Sequence, residues 1–252
     1  MLLNTNHERA YEGYQEWKGW HTFFSPTAQE CELFRQEFKN IPLAQKKILD
    51  IGFGSGSLLG WMRSVGGDVA GVEIQSTLLQ AAQKEAITVF DDIAHAPSDH
   101  YDIISLFDVL EHLANDQIQG VLVEAYRVMR SGGTIMIRVP NCQSPAGLAN
   151  QFADPTHISM LSGPIVKAFL QQANFQEILV REAQLQPSAN ARNRILRKLA
   201  APLIYAFKSL YKLTWSVRLT PLSANVIIVA KKMPYLSDAR WSKVPSANVA
   251  RS

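Results

Sequence analysis

A short apolar run, Lys47-Ile48-Leu49-Asp50-Ile51, breaks straight into Gly52-Phe53-Gly54-Ser55-Gly56, and Ser57–Val65 then reads as a helix. A run of that length ending on glycine is expected to be a buried strand. Three glycines in five residues let the chain turn through conformations closed to most side chains. They also bring backbone N–H groups close to a ligand at the head of a helix. The alternation then repeats, with strands expected at Asp68–Glu73, Ile87–Phe90, Tyr101–Phe107 and Thr134–Val139. Helices are expected at Ser76–Lys84 and Asp116–Arg130, the second closed by Ser131-Gly132-Gly133. Strands and helices alternating at this spacing call for an α/β fold, a mostly parallel sheet with helices on both faces.

The 252 residues suffice for one such domain, and 47% apolar with 19% charged residues is ordinary for a globular protein. Cys31 and Cys142 lie far apart and fit no metal-ligand spacing, so no metal and a reduced, cytoplasmic setting are expected. No signal peptide is visible, and no run approaches the roughly 20 apolar residues that span a bilayer. Residues 1–45 read as a helical or irregular cover, rich in aromatics such as Tyr11, Tyr14, Trp17 and Trp20. The domain proper takes 46–232, and 233–252 form a tail.

The last third changes character. A helix is expected at Gly163–Ala173, and strands at Phe175–Val180 and Ala224–Lys232. Between those strands, 188–222 form an insert in which Ile195, Leu199, Leu203, Phe207, Leu210 and Tyr211 fall at helical spacing. Pro202 is expected to start a fresh helix there. From Ala183 to Ser237 there are nine basic residues and no acid, so a net charge of +3 conceals a remainder of −6. Such a stripe suits a helix lying on an anionic membrane, at the inner face in a cytoplasmic protein. It equally suits a core or dimer face with a solvated basic side. Nucleic acid is not expected as a partner, because no recognised binding module accompanies the basic residues.

The glycine turn carries chemistry. A dinucleotide fingerprint would place its third glycine at position 57, which is Ser57. That mismatch disfavours a nicotinamide-dependent oxidoreductase. Asp50, just before the turn, can meet a cationic amino group, and Glu73, at the next strand end, can accept the hydroxyl hydrogens of a ribose.

These residues, with Val72-Glu73, Phe90-Asp91-Asp92-Ile93 and Leu106-Phe107-Asp108-Val109-Leu110-Glu111-His112-Leu113, resemble the motifs of class I S-adenosylmethionine-dependent methyltransferases. The fourth-strand motif is similar to that of the subgroup acting on quinones and glycans. The resemblance implies a Rossmann-like seven-stranded sheet with an antiparallel last strand, and S-adenosyl-L-methionine as cofactor, leaving S-adenosyl-L-homocysteine. It implies that Gly52, Gly54 and Gly56 line the methionine moiety while Glu73 holds the ribose. Asp92 would contact the adenine amino group with Ile93 against the ring, although Asp91 is equally close by spacing. Phe107 and Asp108 would border the methionine end. Position 53, often Cys in the family, is Phe here.

Methyl transfer to a hydroxyl needs the acceptor held in line and its proton removed. Asp154 and His157, after the fifth strand, offer an acid–imidazole pair at the ligand-binding end of the sheet. The run Asp154–Ser159 followed by Ala173-Asn174-Phe175 resembles methyltransferases of sugars and surface glycans. The expected acceptor is a sugar, glycan or lipid-linked intermediate. The alternatives are a quinone or other small molecule, or a cofactor-binding partner or sensor without catalysis.

Overall fold

The computed structural model describes residues 13–185, 187, 190–214 and 221–233. Seven strands form one sheet: β1 (Lys47–Ile51), β2 (Asp68–Val72), β3 (Thr88–Phe90), β4 (Tyr101–Phe107), β5 (Met129–Pro140), β6 (Gln176–Glu182) and β7 (Asn225–Lys231). Their order is β3-β2-β1-β4-β5-β7-β6. β1 pairs parallel with β2 and β4, β2 with β3 and β4 with β5, while β7 runs antiparallel between β5 and β6. The chain reverses its lateral direction at β1, so a crevice opens beyond the carboxyl ends of β1 and β4, where ligands of such sheets gather.

Eight helices are described: α1 (Tyr14–Trp17), α2 (Ala28–Glu37), α3 (Ser57–Ser64), α4 (Ser76–Lys84), α5 (Asn115–Val128), α6 (Pro145–Ala153), α7 (Gly163–Gln172) and α8 (Ala191–Thr214). The central strands are apolar nearly throughout because both faces are covered. On one face Leu49, Ile104, Ile135 and Ile137 pack with Ile118 and Leu122 of α5 and Val166 and Leu170 of α7. On the other, Ile48, Ile103 and Met136 pack with Phe34, Phe38, Trp61 and Met62 of the α2–α3 side.

Several expectations change. The helix before β5 stops at Val128, not Arg130, because Met129 is fully buried and already pairs with Tyr101. The Ser131-Gly132-Gly133 segment therefore lies within β5 and does not cap a helix. Pro202 sits inside a single helix, α8, which tolerates the missing backbone N–H and does not restart. α6 was not expected, and α2 was foreseen only as part of a helical or irregular cover without bounds. Both carry readable starts: Thr27 and Glu30 form a capping box, and Ser144 caps a helix that opens on Pro145. The 233–252 tail, beyond Met233, lies outside the described residues.

Candidate active site

The glycine turn after β1 is built as its sequence demands. Gly52, Gly54 and Gly56 have φ of 69°, 52° and 73°, values that strain any residue with a Cβ. An added Cβ at Gly54 would lie 2.8 Å from the Trp20 ring, and one at Gly52 would lie 2.7 Å from Val109. The turn is thus pressed between the N-terminal cover and the segment after β4. Phe53 turns away into a cluster with Phe24, Leu59 and Leu78, so the bulk at this position fills core.

Glu73 is buried at the end of β2. Its Oε1 accepts N–H bonds from Ile74 (2.8 Å) and Gln75 (3.2 Å), and its Oε2 accepts one from Gly54 (3.1 Å). One carboxylate thereby couples the glycine turn to the head of α4. Burial raises its pKa while these three donors oppose the rise. A carboxylate offers about four acceptor positions, so one remains, on Oε2. That position is what the carboxylate has left for the ribose hydroxyls expected of it.

Asp50 lies beneath the turn, 3% exposed, and accepts a hydrogen bond from the Ser105 hydroxyl at 2.6 Å. Burial pushes its pKa up to about 7, against the Ser105 bond and the Arg138 charge. Its folded pKa lies above the unfolded value, so the folded chain holds a proton that the unfolded chain has lost between about pH 4 and 7. That contribution is full at low pH and disappears as pH rises through 7. Asp50→Asn is therefore expected to gain about 2–3 kcal/mol on wild type between pH 5 and pH 8. Urea denaturation of both proteins at the two pH values measures it; equal pH dependence would contradict a buried, titrating Asp50.

After β3, Asp92 caps the short turn Ile93–His95 by accepting from the Ala94 N–H at 2.9 Å. Ile93 is buried, and Arg127 fixes the turn by donating to the carbonyls of Ile93 and Ala96. Asp91 instead meets His95 at 2.8 Å on the surface. Asp92 is thus the one placed at the turn with Ile93. At the end of β4, Phe107 stacks on Phe38 (5.7 Å) beneath the Arg138 guanidinium (4.7 Å). Asp108, at φ 57°, is gripped by both arms of that guanidinium. Its charge is engaged with Arg138, a partner that the motif alone does not foretell.

The segment Asp154–His157 meets the turn after β4. Asp154 binds Lys18 at 2.8 Å and accepts from the Thr156 backbone N–H and hydroxyl. Burial opposes its charge, but these donors outweigh burial and hold the carboxyl below its usual range. The expected Asp154–His157 pair is a near neighbour only, with His157 Nε2 3.8 Å from Asp154 Oδ2. The carboxylate oxygens are spent elsewhere. His157 is oriented by the Gln151 carbonyl, 3.1 Å from Nδ1. A carbonyl only accepts, so Nδ1 carries a proton, and in the neutral ring the lone pair falls on Nε2.

Two residues outside the expected set join His157. His112 packs edge-on against it at 4.7 Å, its Nδ1 beside the Thr156 carbonyl (3.2 Å) and hydroxyl (2.9 Å). Its pKa is pushed down to about 4, by burial first and the His157 charge second. Glu111 is fully buried, 4.0 Å from His157 Nε2, and neither carboxylate oxygen makes a hydrogen bond. Burial, with Asp108 adding to it, raises its pKa well above the ordinary. Glu111 and His112 belong to the fourth-strand motif of the sequence, but only the fold brings His157 to them.

The cover reaches across both halves of the crevice. Gln15 bonds Gln75 (3.0 Å) and Thr77 (2.6 Å) at the head of α4, and Lys18 reaches Asp154 on the other side. Trp20 and Phe24 are the aromatics against the glycine turn. Trp17 is 54% exposed, and Tyr11 lies outside the described residues.

Strand order, antiparallel β7 and the glycine–acid pair together define the class I methyltransferase architecture. A family model described as methyltransferase domain matches residues 20–180, and the chain belongs to that family. It is 27% identical over 110 residues to a ubiquinone biosynthesis O-methyltransferase of Thiobacillus denitrificans, a match covering 40% of this chain and 47% of that protein. The chain spans about half the length of the curated relatives it matches. Its fold is that of an S-adenosylmethionine-dependent methyltransferase from Archaeoglobus fulgidus, with TM-score 0.61 at 20% identity over 81% of this chain and 95% of that one. A Thermotoga maritima S-adenosylmethionine-dependent methyltransferase, described as a possible histamine N-methyltransferase, superposes with TM-score 0.58 at 18% identity, covering 89% and 97%.

Proposed function

We propose that the chain transfers a methyl group from S-adenosylmethionine to a hydroxyl of a small ring-bearing acceptor, of the kind handled in quinone biosynthesis. The observation that carries the donor is Glu73, buried and hydrogen-bonded to Gly54 across a turn of three positive-φ glycines. The residues fit such a ligand in three ways. Asp50 offers a buried carboxyl beneath the turn, which an ammonium beside it would draw into its charged form. Glu73 keeps one acceptor position for a ribose hydroxyl, and Asp92-Ile93 present an acid and an apolar surface for a base. When bound, the cofactor supplies an electrophilic methyl on sulfur; the chain's own residues position the groups around it.

The acceptor reading rests on the Asp154–His157 segment and on the relatives. The matched relatives are named for ubiquinone biosynthesis, which favours a quinone-type ring hydroxyl over the sugar or glycan that the Asp154–Ser159 run suggested. In this reading His157 takes the hydroxyl proton on Nε2, with Nδ1 turned to the Gln151 carbonyl and not to Asp154. A screen of ring ortho-diols against nucleotide sugars and glycans, with labelled cofactor, tests the choice. Methyl transfer confined to sugars would contradict it, and transfer to nothing would favour the sensor reading.

We also propose that α8 rests on an anionic membrane surface. No helix of the described residues is long and apolar enough to cross a membrane. Yet Leu199, Leu203, Leu210 and Leu213 are 60–78% exposed, so none of the described residues covers them. α8 contains six Lys or Arg and no acid, and each base near an anionic surface contributes about 1 kcal/mol. Vesicles containing anionic lipid are expected to sediment the protein, and Leu199→Glu with Leu203→Glu to reduce that at least about tenfold. Equal sedimentation of the variant, or none of the wild type, contradicts the proposal.

A further inference from the structure

The Glu111 carboxylate is buried with both oxygens free of hydrogen bonds. Isolated charges and unpaired polar groups are costly in an interior. A buried carboxylate left so in a segment otherwise richly bonded needs an account. Ile158 and Ser159 donate their N–H groups to the Glu111 carbonyl, so its backbone is held while its side chain is not. Around that side chain stand the rings of His112 and His157, and one ligand atom from each of the three residues lies within 4.8 Å of the others.

The imidazoles are prepared in a particular way. The Thr156 hydroxyl donates to Asp154, so it accepts from His112, and with the Thr156 carbonyl it fixes the His112 proton on Nδ1. The Gln151 carbonyl does the same for His157. Both rings thus carry their lone pairs on Nε2. An imidazole whose other nitrogen donates to a carbonyl is the usual metal-binding arrangement.

We propose that Glu111, His112 and His157 form a binding site for one divalent first-row transition-metal ion, with Zn²⁺ or Mn²⁺ as the class favoured by two nitrogens and a carboxylate. A tetrahedral ion holds its donors roughly 3.4 Å apart, so side-chain movements of about 1 Å complete the site. Three protein ligands leave a coordination position open, at the crevice where the acceptor hydroxyl is placed. This deepens the proposed function and rests on its hydroxyl acceptor. A bound ion would supply a Lewis acid to the acceptor oxygen, so that the hydroxyl proton could pass to water. The oxygen then forms its bond to the methyl carbon as the carbon–sulfur bond breaks with its electron pair to sulfur. The sequence offered no hint of this: the cysteine spacing excluded a thiolate site, and the three ligands come from two separate segments. His157 then acts as a ligand, with its lone pair on the ion.

The test is calorimetric, on full chain stripped by chelator, titrated with ZnCl₂ and MnCl₂ alone. One equivalent of at least one ion is expected to bind, with affinity reduced at least about tenfold in Glu111→Gln and in His112→Ala. Metal-free Glu111→Gln is expected to melt no lower than metal-free wild type, because the carboxylate has no hydrogen bond to lose. S-adenosylhomocysteine titrated into the same variants should bind as in wild type, which shows an intact fold and reads the cofactor assignment separately. No uptake of either ion, or uptake undiminished in both variants, overturns the site. Metal binding together with methyl transfer only to non-hydroxyl acceptors keeps the site and fails the hydroxyl reading.

Discussion

Glu73→Ala is expected to weaken S-adenosylhomocysteine binding at least about 100-fold, from the loss of charged hydrogen bonds worth roughly 1.5–3 kcal/mol each. The carboxylate acts twice. It offers an acceptor position to the ligand, and it fixes the glycine turn by accepting from Gly54 while holding Ile74 and Gln75 at the head of α4. Alanine removes both roles and leaves three N–H groups without their acceptor, at a further cost in stability of about 1–3 kcal/mol. Calorimetry well below the melting temperature separates the two losses. Glu73→Gln keeps an amide oxygen for Ile74 and Gln75 but sets an NH₂ group against Gly54. It should fall between the other two proteins in affinity. A Glu73→Ala protein that stays folded and binds within threefold of wild type would contradict the assignment of Glu73.

His157→Ala should lower kcat at least about 100-fold with cofactor affinity unchanged, because the ring stands at the reacting hydroxyl whether it takes the proton itself or holds the ion that acidifies it. The prediction follows from position. His157 neighbours Glu111, His112 and Gln151, whereas the hydrogen bonds of Glu73 and Asp50 run to Gly54, Ile74, Gln75 and Ser105. The same variant leaves the Lys18–Asp154 and Thr156–Asp154 contacts in place, so the cover stays tied. Steady-state turnover with a ring-diol acceptor, alongside calorimetry with S-adenosylhomocysteine, measures both halves. Turnover within tenfold of wild type would reduce His157 to a loop brace.

The strand–turn–helix rhythm made most of the fold legible. Lys47–Ile51, Tyr101–Phe107 and the glycine turn each carry their signal in a few adjacent residues, and strand boundaries there fell within a residue or so. The residues proposed for the donor could be picked out for the same reason: Asp50, Gly52, Gly54, Gly56 and Glu73 belong to consecutive strand ends. What escaped was non-local. Arg138 on β5 claims Asp108, Lys18 and Thr156 claim Asp154, and Glu111 meets His157 only because the post-β5 segment folds back on the turn after β4. No spacing in one dimension encodes those meetings. α2 and α6 escaped differently, since their capping residues were present but their apolar patterns were short. The insert was legible as amphipathic, and its leucines Leu199, Leu203, Leu210 and Leu213 are exposed among the described residues.

The central claim is that a positive-φ glycine turn, backed by Asp50 and clasped by Glu73, receives S-adenosylmethionine. Isothermal titration of S-adenosylhomocysteine into the purified chain tests it. The account predicts saturable binding of one molecule per chain, with S-adenosylmethionine competing for the same site. Heat indistinguishable from dilution for both compounds, from a chain shown to be folded, would contradict it.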